Sequence, residues 1–176
     1  MRLEQTLLHA NCVAIGGVGV LILGEPGSGK SDLTLRLIDA AGVGLGRRPV
    51  KATLVSDDQV LVRARAGKLY ASPPKSIAGL LEIRGAGIVR VAFRKSVPLA
   101  LAVRLASAAE IERLPGIEKS RFEIADLSLP VIEIDPAAAS APARLRAALS
   151  SLKDRSTRKN PLLPARSAGR RWPTAG

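Results

Sequence analysis

The sequence predicts a strand-rich α/β domain in which a mixed sheet is flanked by helices. Three observations carry this. Hydrophobic residues make up 47% of the 176 and aromatic ones only 2%, so the chain can pack a core and that core is aliphatic. Short aliphatic and β-branched runs recur between glycine turns, while few stretches have helical spacing. Between an apolar run and the first helical stretch lies Gly24-Glu25-Pro26-Gly27-Ser28-Gly29-Lys30-Ser31, which fits G-x-x-x-x-G-K-[ST] and makes this a P-loop-containing fold.

In chain order, Cys12–Ile15 and Val18–Leu23 read as two strands joined by a tight turn at Gly16-Gly17. Leu33, Leu35, Leu37 and Ile38 place a helix over Ser31–Ala40, ending near Gly42. Residues 43–51, with Gly44, Gly46, Pro49 and three basic side chains, read as an exposed loop. Thr53-Leu54-Val55 forms a strand ending at Asp57-Asp58, and Val60–Arg65 with Leu69–Ala71 flank Ala66-Gly67-Lys68 as a hairpin. Beyond Pro73-Pro74, Leu80–Ile83 and Ile88–Phe93 surround Gly85-Ala86-Gly87. Leu99–Leu105 and Leu129–Ile134 are further strands, and Ala143–Leu152 is a closing helix.

Composition narrows the function. A single cysteine, Cys12, permits no internal disulfide and no thiolate zinc site, and a single histidine, His9, no multi-histidine metal site. The scarcity of aromatics argues against a base-stacking platform for single-stranded nucleic acid. The apolar stretch from Cys12 to Gly24 is too short to span a bilayer and lacks the flanks of a signal peptide, so a cytoplasmic protein without a membrane segment is expected. The formal charge is +12 (27 Lys and Arg, 15 Asp and Glu). Half of that excess falls in residues 151–176, which carry Lys153, Arg155, Arg158, Lys159, Arg166, Arg170 and Arg171 against Asp154. The expected organisation is a catalytic domain over 1–150 and a basic, disordered tail over 151–176, serving as a solvated extension or as an electrostatic contact for nucleic acid or an acidic partner.

The glycine-rich loop carries the clearest chemistry. Successive backbone N–H groups wrap phosphates, Gly24, Gly27 and Gly29 allow close approach, and the following helix offers its positive end. Lys30 would reach the β and γ phosphates of a nucleotide, and Ser31 would ligate Mg²⁺. Asp57-Asp58 follows at the spacing of the acidic group that handles Mg²⁺ or its water. Adjacent carboxylates at a strand end point different ways, so one can serve the metal and the other a substrate; an acidic turn is the alternative. Glu82 and Arg84 read equally as a strand-end ion pair, and His9 as an exposed polar residue.

Three blocks, in order, resemble the catalytic domain of HPr kinase/phosphorylase: Gly24–Ser31, Leu54-Val55-Ser56-Asp57-Asp58, and Leu80-Leu81-Glu82-Ile83-Arg84-Gly85-Ala86-Gly87-Ile88. The third is the most specific. The resemblance covers about residues 5–150 without the N-terminal domain of longer members, similar to short alphaproteobacterial forms. It implies an ATP- and Mg²⁺-dependent kinase that phosphorylates a serine of the phosphocarrier HPr and can reverse the reaction with inorganic phosphate, assembled as a homohexamer. By that resemblance Gly24, Glu25, Pro26, Gly27, Ser28, Gly29, Lys30, Ser31 and Arg84 hold the nucleotide, while Ser31, Glu82 and Asp57 serve the metal. Asp58 is the base toward the serine, and His9, Lys30 and Arg113 complete the catalytic set. The family's later Pro-, Gly- and Lys/Arg-rich loop has no counterpart around Asp135-Pro136-Ala137, which sets the phosphorylase half apart from the kinase half. A nucleotide-binding regulator without transfer activity and a P-loop small-molecule kinase are the competing readings.

Overall fold

A computed structural model of the chain describes residues 5–113 and 120–157. Strands β1 (Gln5–His9), β2 (Asn11–Ile15), β3 (Val18–Leu23) and β4 (Ala52–Ser56) bracket helix α1 (Lys30–Asp39). Strands β5 (Gln59–Arg65), β6 (Lys68–Ser72), β7 (Leu80–Ile83), β8 (Gly87–Arg90), β9 (Val97–Leu105), β10 (Arg121–Ile124) and β11 (Leu127–Ile134) follow, and α2 (Ala141–Thr157) closes the described chain. Every strand and helix expected from the sequence is present. β1 and β10 are additional, since their mixed polar and apolar residues give no clear run. Residues 91–93 leave the β8 ladder: Phe93 instead bridges Leu54 in parallel. The closing helix continues to Thr157, so the first part of the segment expected to be tail is helical. The rest of that segment, residues 158–176, lies outside the described residues.

Among the described residues nine strands share one sheet, ordered β1-β5-β6-β9-β3-β2-β4, with β11 on β9 and β10 on β11. β3, β9 and β11 run parallel and the other neighbours antiparallel, so the sheet is mixed. Alternation along the strands sorts two cores. Val13, Val20, Ile22, Leu101 and Val103 face Leu33 and Leu37 of α1 and Leu145 and Leu149 of α2. Cys12, Leu21, Val55 and Ala102 face the other way, toward Val60, Val62, Leu69, Leu129 and Val131, because the sheet curls over this face. The Ala66-Gly67 turn between β5 and β6 takes φ 50° and 70°, the left-handed pair that a two-residue hairpin needs.

Arg146 of α2 joins the two helices. It is only 4% exposed, and its guanidinium donates to the carbonyls of Leu37 (2.9 Å) and Ala40 (2.6 Å), at the negative end of α1, and to that of Val50 (3.1 Å). Burial lowers its pKa from the ordinary value. The loop between α1 and β4 passes so close that a β-carbon at Gly42 would lie 2.7 Å from the Arg146 Nε. Arg146→Ala strands these buried carbonyls and should cost about 2–4 kcal/mol in urea unfolding, with Arg146→Lys recovering less than half.

Cys12 is fully buried, and desolvation pushes its thiol pKa far above the ordinary value. A raised folded-state pKa contributes stability that is complete below the unfolded value of 9.0 and lost as pH rises past it. Between pH of about 8 and 10 the wild type should therefore lose stability more steeply than Cys12→Ala, which parallel denaturant titrations will show.

Candidate active site

The glycine-rich loop leaves the end of β3 and turns into α1. Its inner turn is closed by the Ser28 N–H on the Glu25 carbonyl (3.1 Å). Gly29 caps the helix at φ 97°, where a side chain would be strained and would also press on Pro136. The first-turn N–H groups of α1 are thereby directed at the loop's interior, with the positive end of the helix behind them. Lys30 is 6% exposed, and its ammonium donates to the carbonyls of Gly24 (2.8 Å) and Glu25 (3.0 Å) and approaches His9 Nε2 (3.4 Å).

Asp57 and Asp58 sit where β4 turns into β5, and their environments differ sharply. Asp57 is buried: Oδ1 accepts from Ser31 Oγ (2.9 Å) and Asn11 Nδ2 (2.6 Å), and Oδ2 from the Glu82 N–H (2.9 Å). Asp58 projects outward, its side chain 62% exposed, with Oδ1 3.3 Å from His9 Nδ1. Its backbone takes φ 64°, uncommon for a residue with a side chain. His9 arrives through β1, whose register sets it opposite Gln59. A neutral imidazole with its proton on Nδ1 satisfies both contacts, accepting from Lys30 and donating to Asp58.

Loop, helix and strand ends enclose a cleft of about 600 Å³ lined by Lys30, Ser31, Asp58, Glu82 and Arg84 among others. The structure thus gathers Gly24–Ser31, Asp57, Asp58, Glu82, Arg84 and His9. Glu82 and Arg84 form no ion pair with each other among the described residues; both are exposed on the cleft's rim. Arg113 is exposed and is not among the residues lining the cleft.

Two residues went unrecognised in the sequence: Asn11 and Thr34, both fully buried. Asn11 Nδ2 donates to Asp57 and to Thr34 Oγ1 (3.0 Å) and lies 3.4 Å from Ser31 Oγ, while Asn11 Oδ1 accepts the Asp58 N–H (3.0 Å). Parity along β2 was the available signal: Asn11 shares the helix-facing side with Val13 and Ile15, so an amide there must find partners on α1.

The comparisons identify the family. Residues 2–149 match the family described as the HPr Serine kinase C-terminal domain. The chain belongs to that family. Relatives named HPr kinase/phosphorylase include one from Exiguobacterium, 36% identical over 140 residues (74% of this chain, 42% of the relative). Another, from Clostridium botulinum, is 42% identical over 87 residues (49% of this chain, 25% of the relative). The chain therefore spans less than half the length of these relatives. The solved structure of the Hpr(Ser) kinase/phosphatase from Coxiella burnetii superposes with a TM-score of 0.71 at 25% identity, covering 86% of this chain and 98% of that one. Within the HPr kinase family fold, the strand-rich mixed sheet around a P-loop is thus shared.

The side chains fit a magnesium nucleotide. Ser31, Asp57 and Glu82 offer hard oxygen donors, and no group of three or more His, Cys, Asp or Glu able to hold a metal occurs among the described residues. A cation here would complete its shell with phosphate oxygens and water, the habit of Mg²⁺.

Asn11 is the test of this architecture. Asn11→Leu leaves the Asp57 and Thr34 partners unmatched and should destabilise the chain by about 1–3 kcal/mol. Asn11→Asp sets a second carboxylate against Asp57; its stability deficit relative to wild type at neutral pH should shrink as pH falls and one carboxyl protonates. Thermal melts across pH check both.

Proposed function

We propose that the chain is a cytoplasmic kinase that transfers the γ-phosphoryl group of ATP, with Mg²⁺, to a serine of an HPr-type phosphocarrier. The observation that carries this reading is Asp58, an exposed carboxylate held by His9 at the mouth of a buried-lysine phosphate loop. Family membership supports the choice of substrate, since the relatives are named HPr kinase/phosphorylase.

Phosphoryl transfer needs positioning and charge neutralisation more than covalent participation by the protein. Lys30 and the α1 N-terminus hold the β and γ phosphates, and Arg84 on the rim offsets charge on the transferred group. Bound Mg²⁺ would neutralise phosphate charge, with Ser31, Asp57 and Glu82 as its holding groups. Asp58 accepts the serine proton as the hydroxyl oxygen bonds to the γ-phosphorus and ADP leaves; His9 keeps that carboxylate aimed. In the reverse direction Asp58 returns the proton to the serine oxygen as inorganic phosphate takes the phosphoryl group. Arg113 we assign to the catalytic set through its place in the family pattern. Assembly as a homo-oligomer, a hexamer by the same resemblance, is read by light scattering.

Mass spectrometry of an HPr-type protein incubated with this chain, ATP and Mg²⁺ should show one added phosphoryl group on a serine. Asp58→Asn should cut that transfer by about 10²-fold or more while nucleotide binding changes little. Nucleotide binding without any transfer by the wild type would overturn the kinase in favour of a regulator. Full transfer by Asp58→Asn would remove Asp58 as the base. Subsequent incubation of the phosphorylated product with excess phosphate reads the reverse half.

A further inference from the structure

Helix α1 carries the chain from the phosphate loop to Asp39, about 15 Å away along its axis. Three segments meet at that far end. The Gly16-Gly17 turn lies there because β3 starts from it and runs toward the phosphate loop. The last turns of α2 arrive beside it, where the Lys153 ammonium donates to the Gly16 carbonyl (3.4 Å). The loop between α1 and β4 closes next to both: Gly42 and Val50 exchange backbone hydrogen bonds of 3.3 and 2.9 Å, and a β-carbon at Gly16 would lie 3.5 Å from the Val50 side chain.

The main chain of this loop is tied down while its apolar side chains are turned out. The Gly46 N–H donates to the Val43 carbonyl (2.8 Å), and the Leu45 N–H reaches Ser150 Oγ of α2 (3.4 Å). Gly44, at φ 59°, packs so closely on α2 that a β-carbon there would lie 2.7 Å from the Arg146 carbonyl oxygen. Even so, Val43 is 45% and Leu45 68% exposed, two of the four exposed large hydrophobic residues among those described. A single aliphatic side chain in water needs no explanation, but two on one short, fixed loop form a contact surface. The charge around them has one sign. Arg47, Arg48 and Lys51 are exposed, and no Asp or Glu occurs between Asp39, exposed at the end of α1, and Asp57. Lys153 adds a further cation from α2, and in sequence the chain continues from that helix with Arg158, Lys159, Arg166, Arg170 and Arg171 and no acid.

We propose that the loop over residues 43–51 is a docking surface for an anionic lipid bilayer, with Arg47, Arg48 and Lys51 among the headgroup phosphates and Val43 and Leu45 entering the boundary with the acyl chains. Such a surface uses both properties of the loop: anionic headgroups attract the cations, and burial of the aliphatic groups adds a term that salt does not screen. A nucleic-acid backbone would engage the cations alone and leave both aliphatic side chains in water. The contact is peripheral, since among the described residues no helix is long and apolar enough to cross a membrane. The cleft with Lys30 and Asp58 lies at the other end of α1, away from the lipid and open to a protein substrate.

Co-sedimentation of the full chain with vesicles tests it, using phosphatidylcholine alone and phosphatidylcholine mixed with phosphatidylglycerol in equal parts. Wild type should bind the mixed vesicles about tenfold or more tightly than the neutral ones, and less well as salt rises. Arg47→Glu/Arg48→Glu should weaken binding to mixed vesicles about 20-fold or more, since each cation near an anionic surface is worth about fivefold. Val43→Ser/Leu45→Ser should weaken it about tenfold and leave the salt dependence in place. Both variants alter only exposed side chains, so their thermal melts should match wild type. Equal binding to neutral and mixed vesicles overturns the proposal. So does wild-type affinity in the arginine variant, which would place the attraction elsewhere in the chain, or in the aliphatic variant, which would remove insertion. Binding of a DNA duplex that depends on Arg47 and Arg48, without binding to vesicles, overturns the lipid in favour of nucleic acid. Neither nucleotide nor phosphocarrier enters these measurements, so their outcome is independent of the transfer reaction.

Discussion

The side-chain amide of Asn11 is the point on which the candidate site depends. One buried group donates to the Asp57 carboxylate and to Thr34, lies beside Ser31, and accepts the Asp58 N–H. It therefore fixes the distance between α1, which carries Lys30 and Ser31, and the end of β4, which carries both acids. The amide has two N–H donors for three neighbouring oxygens, and the shortest contact goes to the charged one, Asp57 at 2.6 Å. A buried polar junction of this kind is stable only when every member is matched, so it specifies one arrangement of strand end and helix.

The curl of the sheet performs the complementary task. β1 pairs with β5 and not with β2, although β2 follows it directly, so the chain turns sharply at Ala10 and brings His9 to the mouth of the cleft. The Ala10 N–H then bonds the Asp58 carbonyl (3.1 Å). Arg146 acts at the far end of α1. By binding the carbonyls there it holds the helix from behind while the phosphate loop holds it in front, and the register between them follows from one rigid helix.

Much of this was legible in the sequence, for identifiable physical reasons. The β2–β3 hairpin, the phosphate loop and α1 follow from apolar runs, glycines and spacing, all local properties. The β4 terminus with its two acids was legible for the same reason, and the block around Glu82 through its resemblance to one family. What escaped depends on contacts distant in sequence. β1 alternates exposed and half-buried residues at a sheet edge, so no hydrophobic run marks it. Asn11 lies far along the chain from Asp57, and only the fold makes them partners. Arg146 reads as a surface position within a helical pattern until the loop bearing Gly42 and Gly44 closes over it. Arg113 was placed in the site by resemblance alone, and its neighbours at 114–119 lie outside the described residues.

The two adjacent acids show how one short turn yields two environments. Asp57 has both oxygens engaged, by Asn11, Ser31 and the Glu82 N–H, and is 7% exposed, so it cannot swing toward an incoming hydroxyl. Among the described residues the Asp58 carboxylate has one polar partner, His9, and it faces the cleft. That outward direction results from its left-handed backbone, a conformation costing roughly 1 kcal/mol or more for a residue with a β-carbon. The surroundings enforce it: Asn11 takes the Asp58 N–H, Ala10 donates to the Asp58 carbonyl, and Gln59 N–H closes on the Asp57 carbonyl at 2.7 Å. Both backbone groups of Asp58 are thus held while its carboxylate stays in reach of solvent and substrate. A strained residue with a fixed main chain and an exposed acid is what a base acting on a protein side chain requires, because the acceptor must be reached from outside the fold.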